Sequence, residues 1–456
     1  MGARSGSVRW RWLISVLFLG AAVIAGFFAE VQPQHQSAAP LSAGDTAWVL
    51  TASALVLLMT PGLSFFYGGM VRAKNMISTM LQSVMAMGVV SLLWVVVGFG
   101  LAFGEDLGGL GILGDPRTFF LFQGVGTATH PDLAPTIPLL LFAVFQMKFA
   151  IITPALVTGS FAERARFVAY LLFMLLFTLL VYCPVAHWTW HPAGFLRRWG
   201  VLDFAGGTVV HMTAGLAALA GSLVFGPRRD FRRGASHPPA QVPYVILGTG
   251  MLWFGWFGFN AGSALVANEV ACIAFATTNT ASASAMLCWV FLDGLRGRRP
   301  SALGACVAAV VGLVAITPAA GFVTVAGSIS IGAVAAAISY LAVHWRSRSD
   351  LDDTLDVFPC HGIGGMTGMV LTAVFATTAV NPAGADGLLH GGVSLFLHHL
   401  MALGIVAAYS FGLSYGLFRV TNLLIPLRVS EEEEEVGLDL SQHGETADPI
   451  AILQRS

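Results

Sequence analysis

The strongest constraint in this sequence is a succession of uncharged apolar runs, each long enough to cross a bilayer and joined by short connections. In lipid every backbone amide and carbonyl must be paired within the chain, so runs of about twenty such residues fold as helices. Eleven are expected, over 45–67, 76–103, 136–160, 167–187, 204–225, 242–265, 271–292, 301–317, 322–343, 357–379 and 393–418. The predicted fold class is therefore all-α and integral to a membrane. Only 10% of the 456 residues are charged, too few to solvate a soluble protein of that size. A net charge of −1, with basic residues in short clusters rather than along one face, argues against a nucleic-acid partner.

Those basic clusters orient the helices. Arg72, Lys74, Arg164, Arg166, Arg228, Arg229, Arg232, Arg233, Arg296, Arg298, Arg299, Arg346, Arg348, Arg419 and Arg428 all fall in alternate connections or the tail, whereas the other connections hold only Arg117, Arg197 and Arg198. Basic residues near span ends stay on the cytoplasmic side, so the first of the eleven spans starts outside and the last ends inside a cell membrane. Ahead of them, Arg4, Arg9 and Arg11 precede an apolar run from Leu13 to Ala29 and a polar stretch from Gln32 to Ser37, the layout of a signal peptide. Pro40 spoils the cleavage site that Ser37, Ala38 and Ala39 would offer, so residues 1–40 read as a signal peptide or an N-terminal anchor. The rest divides into a membrane unit, 41–425, and a cytoplasmic tail, 426–456.

Eleven spans can hold two inverted five-helix halves plus one extra helix, and histidines occupy matching positions late in the two halves, His211 in the fifth span and His361 in the tenth. Inverted repeats place the substrate path at their interface near the midplane. In the run Asp203-Phe-Ala-Gly-Gly-Thr-Val-Val-His211, eight residues of helical rise set the histidine about 12 Å deeper than the aspartate. Asp203 reads first as a cap for the helix amides; an intramembrane histidine reads as functional. His361 sits in Asp356-Val-Phe-Pro-Cys-His361-Gly-Ile-Gly-Gly, where the glycines admit a neighbouring helix. A lone histidine there would read as core, but two in matching positions point to a shared task.

Trp256, Phe259 and Ser263 are spaced i, i+3, i+7 and share a helix face, as Phe145 and Phe149 do at i, i+4. Such stripes usually pack a core; the polar Ser263 and the adjoining glycines favour a conduit. Trp190 fits either an interface belt or a cation–π platform, since indole faces attract compact cations. Cys183, Cys272, Cys288, Cys306 and Cys360 form no C-x-x-C pair and read as small buried hydrophobes. No span carries a closely spaced His and carboxylate ligand set. Neither a metal, a cofactor nor an enzyme activity is expected.

These motifs together resemble the ammonium transporter and Rhesus protein family over about residues 45 to 450. The resemblance rests on Phe-Tyr-Gly-Gly-Met-Val-Arg-Ala-Lys-Asn (66–75), Phe-Gln-Met-Lys-Phe (145–149), Phe-Ala-Glu-Arg (161–164) and the runs 203–211, 256–263 and 356–361, in order and at the family's spacing. It implies that Phe145, Phe149, Trp190 and Ser263 form an outer recruitment site for ammonium, with Phe149 and Phe259 the stacked gate beneath. It further implies that His211 and His361 are the paired pore histidines, with Trp256 beside the conduit and Asp203 supporting the outer site from behind. The family's members look like homotrimers with one pore per subunit.

Two departures from the family pattern stand out. Lys148, next to the gate residue Phe149, points about 100° away from it and is expected at a helix or subunit contact, where its charge must be paired or snorkel. Arg197 and Arg198 make the loop after Trp190 more basic than the family's, which could slow cation capture. The tail carries Glu431 to Glu435 and then Gly437, Asp439, His443 and Gly444. An acidic run alone reads as solvated tail, whereas the resemblance implies docking on the neighbouring subunit and control by a PII-type nitrogen regulatory protein. An ammonium sensor is the alternative function, although no output domain follows the tail.

Overall fold

The computed structural model describes residues 20–21, 24, 39–234 and 237–447. The expected leader, 1–40, therefore lies outside the described residues apart from positions 20, 21, 24, 39 and 40. Among the described residues there are helices and isolated bridges but no strand. Ten helices are long and apolar enough to span a membrane: α1 (Ala43–Met70), α2 (Ala73–Phe103), α3 (Leu139–Ser160), α4 (Phe167–Arg198), α5 (Gly207–Phe225), α6 (Val242–Gly262), α7 (Glu269–Leu295), α9 (Val325–Arg346), α10 (Phe358–Phe375) and α11 (Val393–Leu424). Between α7 and α9 lies a shorter apolar helix, α8 (Ala302–Ile316). Each of the eleven expected runs thus has its helix, displaced by up to a few residues at the ends except that α4 runs on past its expected end at 187 to Trp190 and, after a turn at 191–194, to Arg198. Outer here denotes the arginine-poor side and inner the arginine-rich one.

The eighth run keeps its expected bounds to within one residue but gives the shortest of these helices. Its 15 residues span only about 22 Å, less than the hydrocarbon thickness. The chain instead turns at Thr317, Pro318, Ala319 and Ala320, and Thr317, Ala319 and Ala320 are wholly buried. Non-helical backbone is tolerated at such depth only where protein encloses it. That turn will matter for the histidines.

Local signals set the helix starts. Ser42, Asn268, Ser301 and Thr324 cap α1, α7, α8 and α9 with their side chains, and proline occupies the first turn of α6 and of α10. The two five-helix halves pack face to face, α1 along α6 and α5 across α10. At the second crossing a Cβ on Gly215 would fall 2.0 Å from the Gly362 nitrogen, so only glycine lets these backbones meet. Beside that contact lie His211 and His361.

The cysteines only partly follow the sequence reading. Cys183, Cys306 and Cys360 are buried, Cys288 is half-buried and Cys272 is exposed. The reason is physical: an apolar residue on an outward helix face of a membrane protein needs lipid, not protein, to cover it.

Candidate functional site

On the outer side a cavity of about 570 Å³ opens between the ends of α3, α4, α6 and α10 and is lined by Trp190, Asp203, Ser263, Gln146 and Arg197 among others. Four of the residues singled out in the sequence, Trp190, Arg197, Asp203 and Ser263, thus share one chamber. Ser263 donates its hydroxyl to Phe259 O at 2.8 Å, which leaves only oxygen lone pairs for a guest. Trp190 donates its indole N–H to Asp203 O at 3.1 Å. Asp203 in turn accepts from the Gly206, Gly207 and Thr208 amides at 2.8, 2.6 and 2.7 Å and from the Thr208 hydroxyl at 2.5 Å. Burial pushes its carboxyl above the ordinary range, although those hydrogen bonds pull the other way. Every strong direction of this carboxylate is spent on the helix start, so the capping role holds, and its carbonyl holds the tryptophan.

Phe145 and Phe149 do not line that chamber; both are fully buried. Phe149 meets Trp190 edge-on with ring centroids 5.8 Å apart, Phe145 at 4.9 Å and Phe259 at 4.3 Å. Phe259 continues to His211 at 6.0 Å and to Trp256 at 5.5 Å. The expected gate pair is therefore in contact, and its rings lie between Trp190 of the chamber and His211.

Beneath the rings is a space of about 10 Å³, lined by Met59, Leu63, Phe66, Ile152, Leu156 and other apolar side chains plus His211, His361 and Trp256. Its only titratable groups are the two imidazoles. They stack at 5.4 Å with Nδ1 facing Nδ1 at 3.3 Å. Such a contact needs one donor and one acceptor, so the two rings are not both protonated. Thr317, from the buried turn after α8, decides which ring donates. It takes a hydrogen bond from Trp256 Nε1 at 2.9 Å and gives its own proton to Leu313 O at 2.8 Å. With that proton committed, Thr317 Oγ1 accepts from His211 Nε2, 3.3 Å away. Neutral His211 then carries its hydrogen on Nε2, its bare Nδ1 accepts from His361, and His361 Nε2 keeps a free lone pair.

Both histidines sit in single wide turns, Gly207–Met212 and Phe358–Ile363, at the starts of α5 and α10. Wide π-turns of this kind concentrate at functional sites. The counterpart of Asp203 in the second half is Asp353, not Asp356. Asp353 precedes His361 by eight residues, as Asp203 precedes His211, and accepts from the Phe358 amide at 2.7 Å. Burial, then the neighbouring Asp356 carboxylate, push Asp353 up to about 6. Asp356, at φ 57°, pairs instead with Arg346 at 2.7 Å. The repeated eight-residue spacing was available in the sequence and identifies Asp353. Nothing there identified Thr317, which a turn rather than a helix face delivers.

Lys148 is half-buried with Nζ 3.9 Å from Met147 Sδ, and it forms no ion pair among the described residues. On the inner side, Glu163 lies between Arg72 and Arg228, and Arg228 also grips Asp352 at 2.8 Å. Burial would raise the Glu163 carboxyl, but the Arg228 and Arg72 guanidiniums hold it at about 2.

The acidic tail is not a loose solvated run. Its helix α12 (Glu431–Val436) starts in a capping box at Ser430. Glu434 pairs with Arg428 at 2.7 Å and Glu435 with Arg229 at 2.5 Å. Asp439 accepts from the Ile77 and Ser78 amides at 3.0 and 2.7 Å, capping the start of α2, and His443 reaches Ser78 Oγ at 3.1 Å. Gly437 has φ 104° and its Cα lies against Lys74, so a side chain there would clash; Gly444 also takes positive φ. This docking is on the chain's own loops.

Among the described residues no group of three or more His, Cys, Asp or Glu is arranged to hold a metal. A profile of the Ammonium Transporter Family matches residues 47–448. The ammonium transporter of Bacillus subtilis is 45% identical over 408 residues, 89% of this chain and 98% of that one. Among solved structures, Candida albicans Mep2 superposes with a TM-score of 0.82 at 35% identity, covering 90% of this chain and 92% of that one. A structure described as a sensor Amt protein gives 0.79 at 30%, covering 88% and 98%. Fold and relatives are those of transport proteins rather than enzymes. The chain, a multi-pass membrane protein, belongs to the ammonium transporter family.

Proposed function

We propose that this chain recruits ammonium in the outer chamber, removes its proton, and passes ammonia inward between His211 and His361 while the proton travels separately. The observation that carries this reading is the space beside the imidazoles, about 10 Å³ and otherwise apolar. It is near the size that one water fills, so a hydrated cation does not enter, and a bare one loses its solvation with no charge to replace it. Ammonium and potassium have similar size and charge. Only the removable proton separates them.

In the chamber the indole face of Trp190 and the lone pairs of Ser263 favour a cation. Phe145 and Phe149 complete the recruitment site, and Phe149 with Phe259 forms the gate where the ion gives up its water and its proton. The histidine pair relays that proton, because a ring can accept on one nitrogen and release from the other without moving. His361 Nε2 is the acceptor free at rest, and Trp256 holds Thr317, which sets the tautomer.

The protein has three parts in this reading: a leader or anchor at 1–40, a membrane unit at 41–425 and a regulatory tail at 426–456. It lies in the cell membrane with the arginine-rich side in the cytoplasm. It assembles as a homotrimer, and its tail, through Gly437, Asp439, His443 and Gly444, answers to a PII-type partner. Currents from reconstituted protein in ammonium, methylammonium and potassium test the transport step. Ammonium current with potassium excluded supports it, and equal currents in ammonium and potassium overturn it.

Removing residues 431–456 is expected to lower uptake several-fold without loss of trimer, since the tail carries no span but braces the starts of α2 and α4. A fully active truncated trimer, still answering to its partner, contradicts the tail's role. The sensor structure among the neighbours favours a second reading, in which the chain reports ammonium rather than carrying it in bulk. Signalling that persists in a pore-blocked variant selects that reading, and signalling that falls with flux rejects it.

A further inference from the structure

At its outer end α4 is fastened to the segment that follows α2. Trp188 donates its indole N–H to Ile112 O at 2.7 Å, and the Phe195 amide donates to Gly111 O at 3.1 Å. Next to Trp188 is His187, wholly buried and one turn before Trp190. Its Nδ1 lies 3.0 Å from Ala102 O and its Nε2 3.1 Å from Asp106 Oδ1. A carbonyl only accepts, and a neutral imidazole donates from one nitrogen alone. Both contacts therefore require one proton more than a neutral histidine and an ionised aspartate possess together. Asp106 also takes the Gly111 amide at 2.9 Å through both oxygens. Burial would raise this carboxyl, but the Gly111 amide and His187 hold it below the ordinary range, so the proton rests on the imidazole.

His191 stacks on His187 with ring centroids 4.4 Å apart. Its Nδ1 accepts from the Ala193 amide at 3.1 Å, which makes it the neutral member of the stack. Asp106 opens on a second outer basin of about 700 Å³, lined also by Glu105, Arg117, His130 and Asp132, and Asp132 and Pro192 line the outer chamber as well. The other charges around the pair are Arg198, whose guanidinium lies against Gly111, and, on the His191 side, Arg197 and Asp132. External water thus reaches the pair at Asp106, although His187 itself is enclosed.

We propose that His187 and Asp106 share one proton that holds the outer turn of α4, and Trp190 with it, in the recruiting position, so that external pH sets how tightly ammonium is captured. His187 is here a positioning residue, acting through Trp190, and this positioning rests on the recruiting role of the outer chamber. When external pH rises and the proton leaves, a bare imidazole lone pair faces an acceptor and one of the two ties is lost.

The test follows KM for ammonium in reconstituted full-chain trimer as external pH is raised from about 6 to about 8.5, beside the C2 hydrogen–deuterium exchange of His187 read by mass spectrometry. In wild type KM is expected to rise about fivefold, the factor that one net hydrogen bond amounts to, and the exchange of His187 to follow pH. Asp106→Asn keeps both ties without the extra proton, since its amide donates to His187 Nε2 while its oxygen takes the Gly111 amide. Its KM should stay low and its His187 exchange level across the range. His187→Gln, left with one donor, should show the raised KM at every pH. A wild-type His187 exchange that ignores pH overturns the shared proton. Exchange that follows pH, with the same KM profile in wild type and Asp106→Asn, overturns the positioning of Trp190. Absence of saturable ammonium uptake from every form contradicts the recruiting role itself, and the exchange measurement still decides the shared proton.

Discussion

The starts of α5 and α10 are built to one plan and finished differently. Each has an aspartate followed by a wide turn that carries a histidine eight residues on from it. Asp203 accepts four hydrogen bonds and also positions Trp190 through its carbonyl. Asp353 accepts from the Phe358 amide through one oxygen, while the other, Oδ1, is buried without a close hydrogen-bond partner among the described residues. The outer half is fully tied down beside the outer chamber. The inner half leaves a buried carboxylate that titrates near 6. Symmetry of sequence thus does not carry over to symmetry of role.

The largest effect that would break this comparison comes from alanine at each aspartate. Asp203→Ala strands several buried amides, and each such loss amounts to about 1–3 kcal/mol. It is expected to destabilise the purified protein by more than about 3 kcal/mol and to abolish uptake. Asp353→Ala removes an ordinary cap, about 1 kcal/mol. Equal losses of melting temperature in the two variants would show that the halves are equivalent after all.

A smaller effect sharpens the same contrast. An acid whose folded pKa is raised weakens the fold as pH climbs from its unfolded value to its folded one, here from 3.8 to about 6. Asp353→Asn removes that penalty. The stability gap between Asp353→Asn and wild type should therefore widen in the variant's favour up to about pH 6 and stay level above it; a gap indifferent to pH rules out the titration. Least of all, Arg197→Gln should lower KM for ammonium by roughly twofold with kcat unchanged, because one exposed, screened charge at the outer chamber repels the incoming cation weakly. An unchanged KM would mean that Arg197 does not face the path.

Much of this was legible before any coordinates. The spans follow from the impossibility of unpaired backbone in lipid, and the eighth, expected at 301–317, is the shortest of them at 302–316 and runs into a buried turn. Asp203, His211, Trp256, Phe259 and Ser263 were legible because helical spacing puts them in depth order along two chain segments. Thr317 was not, since a turn has no periodicity, yet it sets the proton arrangement of the histidines. Asp353 was hidden in plain view: Asp356 opens the more familiar run, but it is Asp353 that shares the eight-residue spacing. The acidic tail misled by composition, because five glutamates look solvated until Arg229, from a distant segment, and Arg428, just ahead of the run, are seen beside them.

The central claim is that ammonium is split before passage and that the histidine pair carries the proton. The most direct measurement is the ammonium-dependent current of reconstituted His211→Ala/His361→Ala, at matched protein level and with trimer verified, since two cavities in a core can destabilise it by several kcal/mol. The account predicts that this current is lost, because the enlarged apolar space has no proton carrier. A wild-type ammonium current with potassium still excluded would contradict it.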